Sequence, residues 1–303
     1  MKLYWSITNS CNLQCRCCYY NAGLESKVLT TKEVDNMKIV GDVAKNFNEV
    51  VFTGGEALIY PHIFKLIVNL KKVGVKISIL SNAVVMSENI AKKLIDLKVD
   101  DIAISLDSLD ETTNDYLRGK TSLVKKGIMT LIELRPKEMN LEIMMTVTRK
   151  NISSIKPLVE FCKTNNLNLW LDPVEIGCKA TQLTDLRLED MEESEIVNLE
   201  NAVNYWAGER ELLKKYARNM MSLVRKEKPR DISCPMGSDS FVLDPDGNLY
   251  PCFMRKDLLI GNLFEQKIKH ILSNIKLLEQ KENLKEAVCV RLGCVCMTIA
   301  DKY

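Results

Sequence analysis

Short apolar segments alternate, through residue 187, with longer stretches in which apolar residues recur at helical spacing. The apolar segments are rich in Val, Ile and Leu, which is typical of strands buried in a parallel sheet. We predict six strands, at 2–7, 50–52, 76–81, 101–106, 141–146 and 168–174. Five helices are predicted between them, at 31–45, 63–73, 87–97, 123–134 and 155–164. This alternation predicts an α/β fold, with fewer units than the eight of a closed barrel.

The pattern changes after residue 187. Residues 188–230 are charged, have helical spacing and carry no strand signal, so we expect a helical connector there. The tetrapeptide Asp-Pro-Asp-Gly at 244–247 separates two short apolar segments and predicts a β-hairpin. A helix is predicted at 264–286, ahead of a cysteine cluster. The chain is therefore expected to have three parts, at 1–187, 188–230 and 231–303.

Three cysteines lie close together just after the first predicted strand. Cys11, Cys15 and Cys18 have CX3CX2C spacing. Three thiolates on one loop can bind three irons of a [4Fe-4S] cluster and leave the fourth iron open to a substrate, whereas an electron-transfer cluster usually takes four cysteines. The alternative is a zinc site, with its four ligands drawn from Cys11, Cys15, Cys17 and Cys18. Four ligands within eight residues crowd a tetrahedral site, which favours the iron-sulfur interpretation.

This loop resembles the signature of the radical S-adenosylmethionine (SAM) superfamily. The resemblance implies a partial (β/α)6 TIM-like barrel, with a C-terminal hairpin-plus-helix domain for an auxiliary cluster. It also implies that the free iron binds the methionine moiety of SAM, and that reductive cleavage yields a 5'-deoxyadenosyl radical that takes hydrogen from a substrate. The family usually has an aromatic residue before the third cysteine, where it packs on the adenine. Here that residue is Cys17, which leaves it as a competing ligand.

Polar residues at the ends of the second, third and fourth predicted strands resemble the SAM-binding segments of the same family. Gly54-Gly55-Glu56 resembles the GGE motif, whose acidic residue binds the methionine amino group, and its glycines let the backbone approach a ligand. Taken alone, a glycine pair is an ordinary turn, and polar residues at strand ends are ordinary helix caps. The remaining residues that the resemblance places at SAM are Ser81, Asn82, Ser105, Asp107 and Arg118. Ser105 and Asp107 are expected near its carboxylate and ribose, and Arg118 is expected to clamp a carboxylate.

A second set of cysteines lies in the C-terminal part. Gly247 to Cys252 has GX4C spacing within the predicted hairpin. This region resembles the twitch domain, a shortened SPASM domain with one auxiliary [4Fe-4S] cluster, so two clusters are expected per chain. The expected ligands are Cys234, Cys252, Cys294 and Cys296, with Cys289 as an alternative. A structural zinc is the other interpretation of this set.

Composition excludes several functions. The chain has 42 basic and 40 acidic residues and no basic run, which disfavours nucleic acid as a partner. No apolar stretch approaches the roughly 18 residues of a membrane helix. Eleven cysteines in a chain without a secretory signal favour the cytoplasm, and two histidines leave little material for histidine chemistry.

We therefore expect a cytoplasmic radical SAM oxidoreductase or isomerase. The first hypothesis for its substrate is a ribosomally made peptide that is epimerised or crosslinked. The alternatives are oxidation or epimerisation of a small metabolite such as an antibiotic sugar and, in another class, an iron-sulfur electron carrier or redox sensor. Expected partners are an electron donor such as flavodoxin or ferredoxin and, because no leader-binding segment precedes the first strand, a separate leader-binding protein. Cys178, after the sixth strand, is a candidate hydrogen-atom donor to a substrate radical.

Overall fold

The structure is a computed structural model that describes residues 1–18, 33–174, 185–227, 236–253 and 256–273. Six strands alternate with helices in its first part, as the sequence predicts. The strands are β1 (Lys2–Ser6), β2 (Glu49–Thr53), β3 (Lys76–Ser81), β4 (Asp101–Ser105), β5 (Asn140–Val147) and β6 (Asn168–Pro173). The helices are α1 (Glu33–Asn46), α2 (Ile63–Lys71), α3 (Glu88–Asp96), α4 (Glu111–Leu117), α5 (Thr121–Leu134) and α6 (Ile155–Thr164). Of these helices only α4, seven residues long, is absent from the sequence prediction.

The second part contains two helices and a small β element. The predicted connector forms α7 (Glu193–Ala207) and α8 (Glu211–Val224), and the predicted hairpin forms β7 (Ser240–Leu243) and β8 (Asn248–Tyr250), followed by β9 (Gly261–Asn262). The final helix begins at residue 268 rather than at the predicted 264, and is described as far as 273. The turn that precedes it explains the later start, because the Asn262 side chain accepts the Phe264 N–H at 2.8 Å.

All nine strands form one sheet in the order β6-β5-β4-β3-β2-β1-β7-β8-β9. Strands β1 to β6 are mutually parallel, and β7 continues the parallel arrangement by pairing with β1. The predicted hairpin therefore extends the barrel sheet instead of standing apart from it. All four residues of β7 are buried, as expected of a strand covered on both faces.

The two faces of the sheet differ in polarity. In β5, burial alternates strictly, and the residues on the fully covered face, such as Ile143, pack in the core with helix residues such as Ile128 and Leu158. The opposite face, here called the inner face, carries partly exposed and polar side chains. Cross-strand pairing aligns Met144 of β5 with Trp170 of β6 on this face. The helices therefore cover one side of a curved parallel sheet and leave the inner face as the interior of a partial barrel.

Among the described residues, no helix combines the length and the apolar character that crossing a membrane requires.

Candidate functional site

The carboxyl ends of the six parallel strands meet at one edge of the sheet, where barrel enzymes carry their active sites. The cysteine loop follows β1, the glycine pair follows β2, and the other predicted SAM-site residues lie at the ends of β3 and β4 or, for Arg118, at the end of α4. Hydrogen bonds connect these segments directly, as described below. The structure thus gathers Glu56, Asn82 and Arg118 around the cysteine loop, with Asp107 bonded to Arg118.

The glycine pair packs against the backbone that leads into the cysteine loop. The N–H of Gly55 donates to the Thr8 carbonyl at 2.8 Å, and the N–H of Glu56 donates to the Ser10 carbonyl at 2.9 Å. A Cβ atom on Gly54, which has a φ of +128°, would lie 2.2 Å from the Thr8 oxygen, and one on Gly55 would lie 2.0 Å from the Ser10 oxygen. Glycine is required here because protein backbone fills the space that a side chain would take.

We expect Gly55→Ala to prevent stable loading of the first cluster, because the new Cβ would push the loop away from β2. With two clusters in the wild type, iron after anaerobic reconstitution should fall from about eight to about four per chain. Gly41→Ala is the matched control, since Gly41 lies in α1 with nothing within 4 Å of its Cβ position. It should keep all its iron and gain about 0.5–1 kcal/mol of stability. Full iron in Gly55→Ala would contradict this role of the glycine.

The carboxylate of Glu56 connects the ends of β2 and β3. Its Oε1 accepts the Ser81 hydroxyl at 2.9 Å and the Leu58 N–H at 3.1 Å, and its Oε2 accepts the Asn82 N–H at 2.7 Å. The residue is 1% exposed, and burial raises its pKa although all three donors lower it. A carboxylate has about four acceptor positions, so one remains for the SAM ammonium group predicted from the sequence. That contact stays a prediction.

Asp107 and Arg118 form a buried ion pair beside the cysteine loop. Arg118 Nε lies 2.6 Å from Asp107 Oδ2, and Arg118 Nη2 donates to Thr146 Oγ1 at 3.1 Å. The second oxygen of Asp107 accepts the Thr146 N–H at 2.8 Å. Burial alone would lower the pKa of Arg118, but the Asp107 carboxylate raises it well above its ordinary value. The carboxylate that Arg118 clamps in this structure thus belongs to the protein, and contacts of either residue with SAM remain predictions.

The cysteine loop is also hydrogen-bonded to the segment that carries Arg118. The N–H of Arg16 donates to the Leu117 carbonyl at 2.8 Å, and the Cys15 thiol lies 4.0 Å from the Arg118 carbonyl. From the other side, Lys120 Nζ donates to the Asn12 carbonyl at 3.1 Å. Displacement of Arg118 would therefore move the loop that carries the cysteines.

The thiols of Cys11, Cys15 and Cys18 are partly exposed and interact electrostatically. Burial raises the pKa of Cys11, and it raises that of Cys15 to about 11, which Arg118 partly offsets. The charge of Cys18 raises both pKa values further, so its sulfur lies within electrostatic range of the other two, although no three such side chains of the described residues are close enough together to hold a metal ion as they stand. Thiolates are held together at neutral pH when a cationic metal group compensates their charge. The donor set therefore fits an iron-sulfur cluster.

Cys17 has different surroundings from the other three. It is buried, and its Sγ lies 3.6 Å from Asp107 Oδ2. Burial and the Asp107 charge raise its pKa well above the usual value, which disfavours the thiolate that a ligand needs. The structure therefore does not support Cys17 as a competing ligand, because its thiol donates to a buried carboxylate.

Sequence reasoning missed three polar residues of this region. The Thr146 hydroxyl accepts a hydrogen bond from Arg118 Nη2. Asn151 Nδ2 donates to the Asp107 and Thr146 carbonyls at 3.2 and 2.8 Å, and Asn12 Oδ1 accepts from Asn82 Nδ2. Asn12 lies inside the cysteine motif, so its position was a usable signal. Thr146 lies within β5 and Asn151 follows it, and because that strand carries no glycine or cysteine motif, nothing local marks them. Ser105, a predicted site residue, is half-buried and pairs with Met144 in the sheet register.

The second cysteine set is described only at Cys252, which is partly exposed and follows β8. The neighbouring Phe253 packs edge-on against Tyr4 of β1 with ring centroids 5.2 Å apart. This contact connects the Cys252 segment to the barrel sheet. The other predicted residues of the C-terminal part and the candidate hydrogen donor lie outside the described residues: Cys178, Cys234, Cys289, Cys294 and Cys296.

Comparison with protein families agrees with this geometry. The profile of the radical SAM superfamily matches residues 5–162, just over half of the chain, and that of the SPASM iron-sulfur cluster-binding domain matches residues 234–294. The protein belongs to the radical SAM superfamily. Its radical SAM domain binds a [4Fe-4S] cluster and SAM, and its SPASM domain binds additional iron-sulfur clusters. The family therefore does not support a zinc site at either cysteine set.

Similar proteins span most of the chain. The sporulation killing factor maturation protein SkfB of Bacillus subtilis is 24% identical over 287 residues, which cover 94% of this chain and 67% of SkfB. A probable GTP 3',8-cyclase of Sulfolobus acidocaldarius is 29% identical over 297 residues, covering 92% of this chain and 87% of the cyclase. The crystal structure of Streptococcus suis SuiB bound to SAM superposes with a TM-score of 0.70 at 18% identity, covering 96% of this chain and 70% of SuiB. The last similarity supports the fold alone.

Proposed function

We propose that this radical SAM enzyme modifies a peptide, by epimerisation or by forming a crosslink. Two similarities support a peptide substrate. SkfB is named as a maturation protein of a killing factor, and AlbA of Bacillus subtilis, 23% identical over 280 residues, is named as a biosynthesis protein of the antilisterial bacteriocin subtilosin. The bound cluster and SAM would supply the radical that removes a hydrogen atom from the substrate. This chain's own residues would hold the substrate and orient the reacting group.

The carboxylates of the inner face are the observation that favours a peptide substrate. Asp172 of β6 accepts the Tyr216 hydroxyl at 3.0 Å, and Glu142 of β5 accepts the Trp170 indole N–H at 2.8 Å. Burial raises the pKa of Asp172, although the Tyr216 hydrogen bond lowers it. Arg118, a buried cation beside the cysteine loop, is already paired with Asp107. Carboxylate oxygens accept hydrogen bonds from the N–H groups of a peptide and attract cationic side chains.

The second candidate is a nucleotide or another small metabolite, because the GTP 3',8-cyclase of Sulfolobus acidocaldarius is the more identical of the two relatives above. A triphosphate needs several free cationic groups near its phosphates. Among the described residues, Lys2 and Lys76 of the inner face and the nearby Arg118 are each paired with a carboxylate of the protein, so their charge is already compensated and attracts a polyanion weakly. The charge distribution therefore favours a peptide over GTP. An electron donor such as flavodoxin or ferredoxin, and a separate leader-binding protein, are proposed partners.

The test compares substrates in the reconstituted enzyme under anaerobic conditions. With SAM and a chemical reductant, we expect a short precursor peptide encoded beside the gene to increase 5'-deoxyadenosine formation and to change in mass or stereochemistry. GTP at the same concentration should do neither. Stimulation by GTP together with a cyclised nucleotide product would overturn the proposal.

Solvent deuterium separates the two peptide reactions. Epimerisation that ends with hydrogen transfer from a thiol leaves one deuterium in the product, because S–H exchanges with water. We propose Cys178 as this donor, so Cys178→Ala should still form 5'-deoxyadenosine and fail to release the epimer. A crosslink leaves no solvent deuterium, and it requires an oxidant for the second electron, the role proposed for the auxiliary cluster.

A further inference from the structure

Two asparagine side chains lie beside the first motif cysteine, and hydrogen bonds fix how each is oriented. Asn82 Oδ1 accepts the Val84 N–H at 3.0 Å, so its amide nitrogen must point the other way. That nitrogen, Nδ2, donates to Asn12 Oδ1 at 2.7 Å. The Asn12 oxygen is therefore fixed as well, since a flipped amide would place two donors against each other.

The same Asn82 nitrogen also reaches a sulfur. Its distance to Cys11 Sγ is 3.7 Å, within the range of an N–H···S hydrogen bond. An amide nitrogen carries two hydrogens, one for Asn12 and one for this sulfur. Asn82 is 7% exposed, and its backbone N–H is held by Glu56 Oε2 at 2.7 Å. The donor is therefore already in place before a cluster binds.

Asn12 adds a second donor that has no acceptor yet. Its Nδ2 atom is buried and bonds to no atom of the described residues. A buried N–H without a partner is energetically unfavourable, and an acceptor supplied by a bound group relieves that cost. The sulfur-rich group that the neighbouring cysteines bind supplies acceptors of this kind. Asn82 thus donates to a motif sulfur already, and Asn12, the residue after Cys11, has a buried N–H group still available to an acceptor.

We propose that Asn82 is a positioning residue that donates to the Cys11 thiolate and thereby stabilises the reduced cluster. Reduction by an external one-electron donor adds one negative charge, which spreads over the iron, sulfide and thiolate atoms. An N–H···S hydrogen bond becomes stronger as the sulfur becomes more negative, so it favours the reduced form and raises the reduction potential. This role concerns Cys11 and the electron, and it does not depend on which substrate the enzyme takes.

The test is a redox titration of the first cluster, followed by EPR in the absence of SAM. Asn82→Ser keeps a short, neutral side chain that can still accept the Val84 N–H, but it cannot reach Cys11. The equilibrium constant for reduction should fall about fivefold to tenfold, and a tenfold fall lowers the midpoint by about 59 mV for one electron. Asn69→Ser is the matched control, because Asn69 is partly exposed and donates to the Lys65 carbonyl within α2, away from the cysteine loop. Its potential should equal that of the wild type.

A second measurement needs no variant and covers the case in which Asn82→Ser fails to bind iron. Protein grown with 15N-asparagine should show a nitrogen hyperfine coupling in pulsed EPR of the reduced first cluster. That signal is recognised by its change when SAM is added. Absence of a 15N coupling in the wild type, or a midpoint in Asn82→Ser equal to that of the wild type, would overturn the proposal.

Discussion

Replacement of Cys11, Cys15 and Cys18 with alanine is expected to abolish SAM cleavage and remove about half of the iron. The physical reason is that the three thiolates are the predicted protein ligands of the first cluster, while the second cysteine set lies far along the chain in the SPASM region. With two clusters, anaerobically reconstituted wild type should contain about eight irons and the triple variant about four. Iron and sulfide analysis, together with chromatographic measurement of 5'-deoxyadenosine, checks both parts.

The control is Cys162→Ala, because Cys162 is buried in α6 and burial raises its pKa to about 12. That variant should keep all its iron and its SAM cleavage. Loss of all iron from the triple variant would show that the second cysteine set does not hold a cluster by itself. Zinc as the sole metal of wild-type protein purified without oxygen would contradict the cluster assignment altogether.

The sequence predicted the six barrel strands because each carries its own signal. A strand such as β4 is a run of apolar residues bounded by polar ones, and burial of that run needs no information from elsewhere in the chain. The pairing of β7 with β1 carries no such signal, since it joins segments more than 200 residues apart. The helix α4 was missed because its seven residues contain two threonines and an asparagine, which have low helix propensity. An N-terminal cap compensates for this low propensity, because the Asp110 carboxylate accepts the Thr113 N–H at 2.9 Å.

The candidate site also has features that the sequence predicts and contacts that it does not. The cysteine spacing and the glycine pair are local patterns, so they could be read without a structure. What could not be read is where their partners lie: the Gly55 Cβ position faces Ser10, and Asn82 faces both Cys11 and Glu56. The glycines were predicted to let backbone approach a ligand, and the structure shows the loop backbone itself in that space. Such pairings depend on the sheet register, which one residue type at one position does not encode.

The pairing of Asp107 with Arg118 is another contact of this kind, and it leads to the second large expected effect. Asp107 is fully buried and Arg118 is 12% exposed, so both charges have lost most of their water. Removal of one partner from a buried ion pair leaves the other charge uncompensated, which typically costs about 3–5 kcal/mol. Removal of both partners costs less than the sum, because no unpaired charge remains.

We therefore expect Asp107→Asn and Arg118→Met each to lower the free energy of unfolding by about 3–5 kcal/mol, and the double variant to lose clearly less than the two losses added. In Asp107→Asn, an amide that still accepts the Thr146 N–H must present its NH2 group to Arg118 Nε, which is also a donor. Urea unfolding followed by circular dichroism measures the four proteins of this cycle. Glu88→Gln, which breaks the exposed pair with Lys92 in α3, is the control and should be silent. Because the Arg118 segment is hydrogen-bonded to the cysteine loop, both single variants should also bind less iron at the first cluster. Strictly additive losses of unfolding free energy, together with full iron in both single variants, would show that the pair does not support the loop.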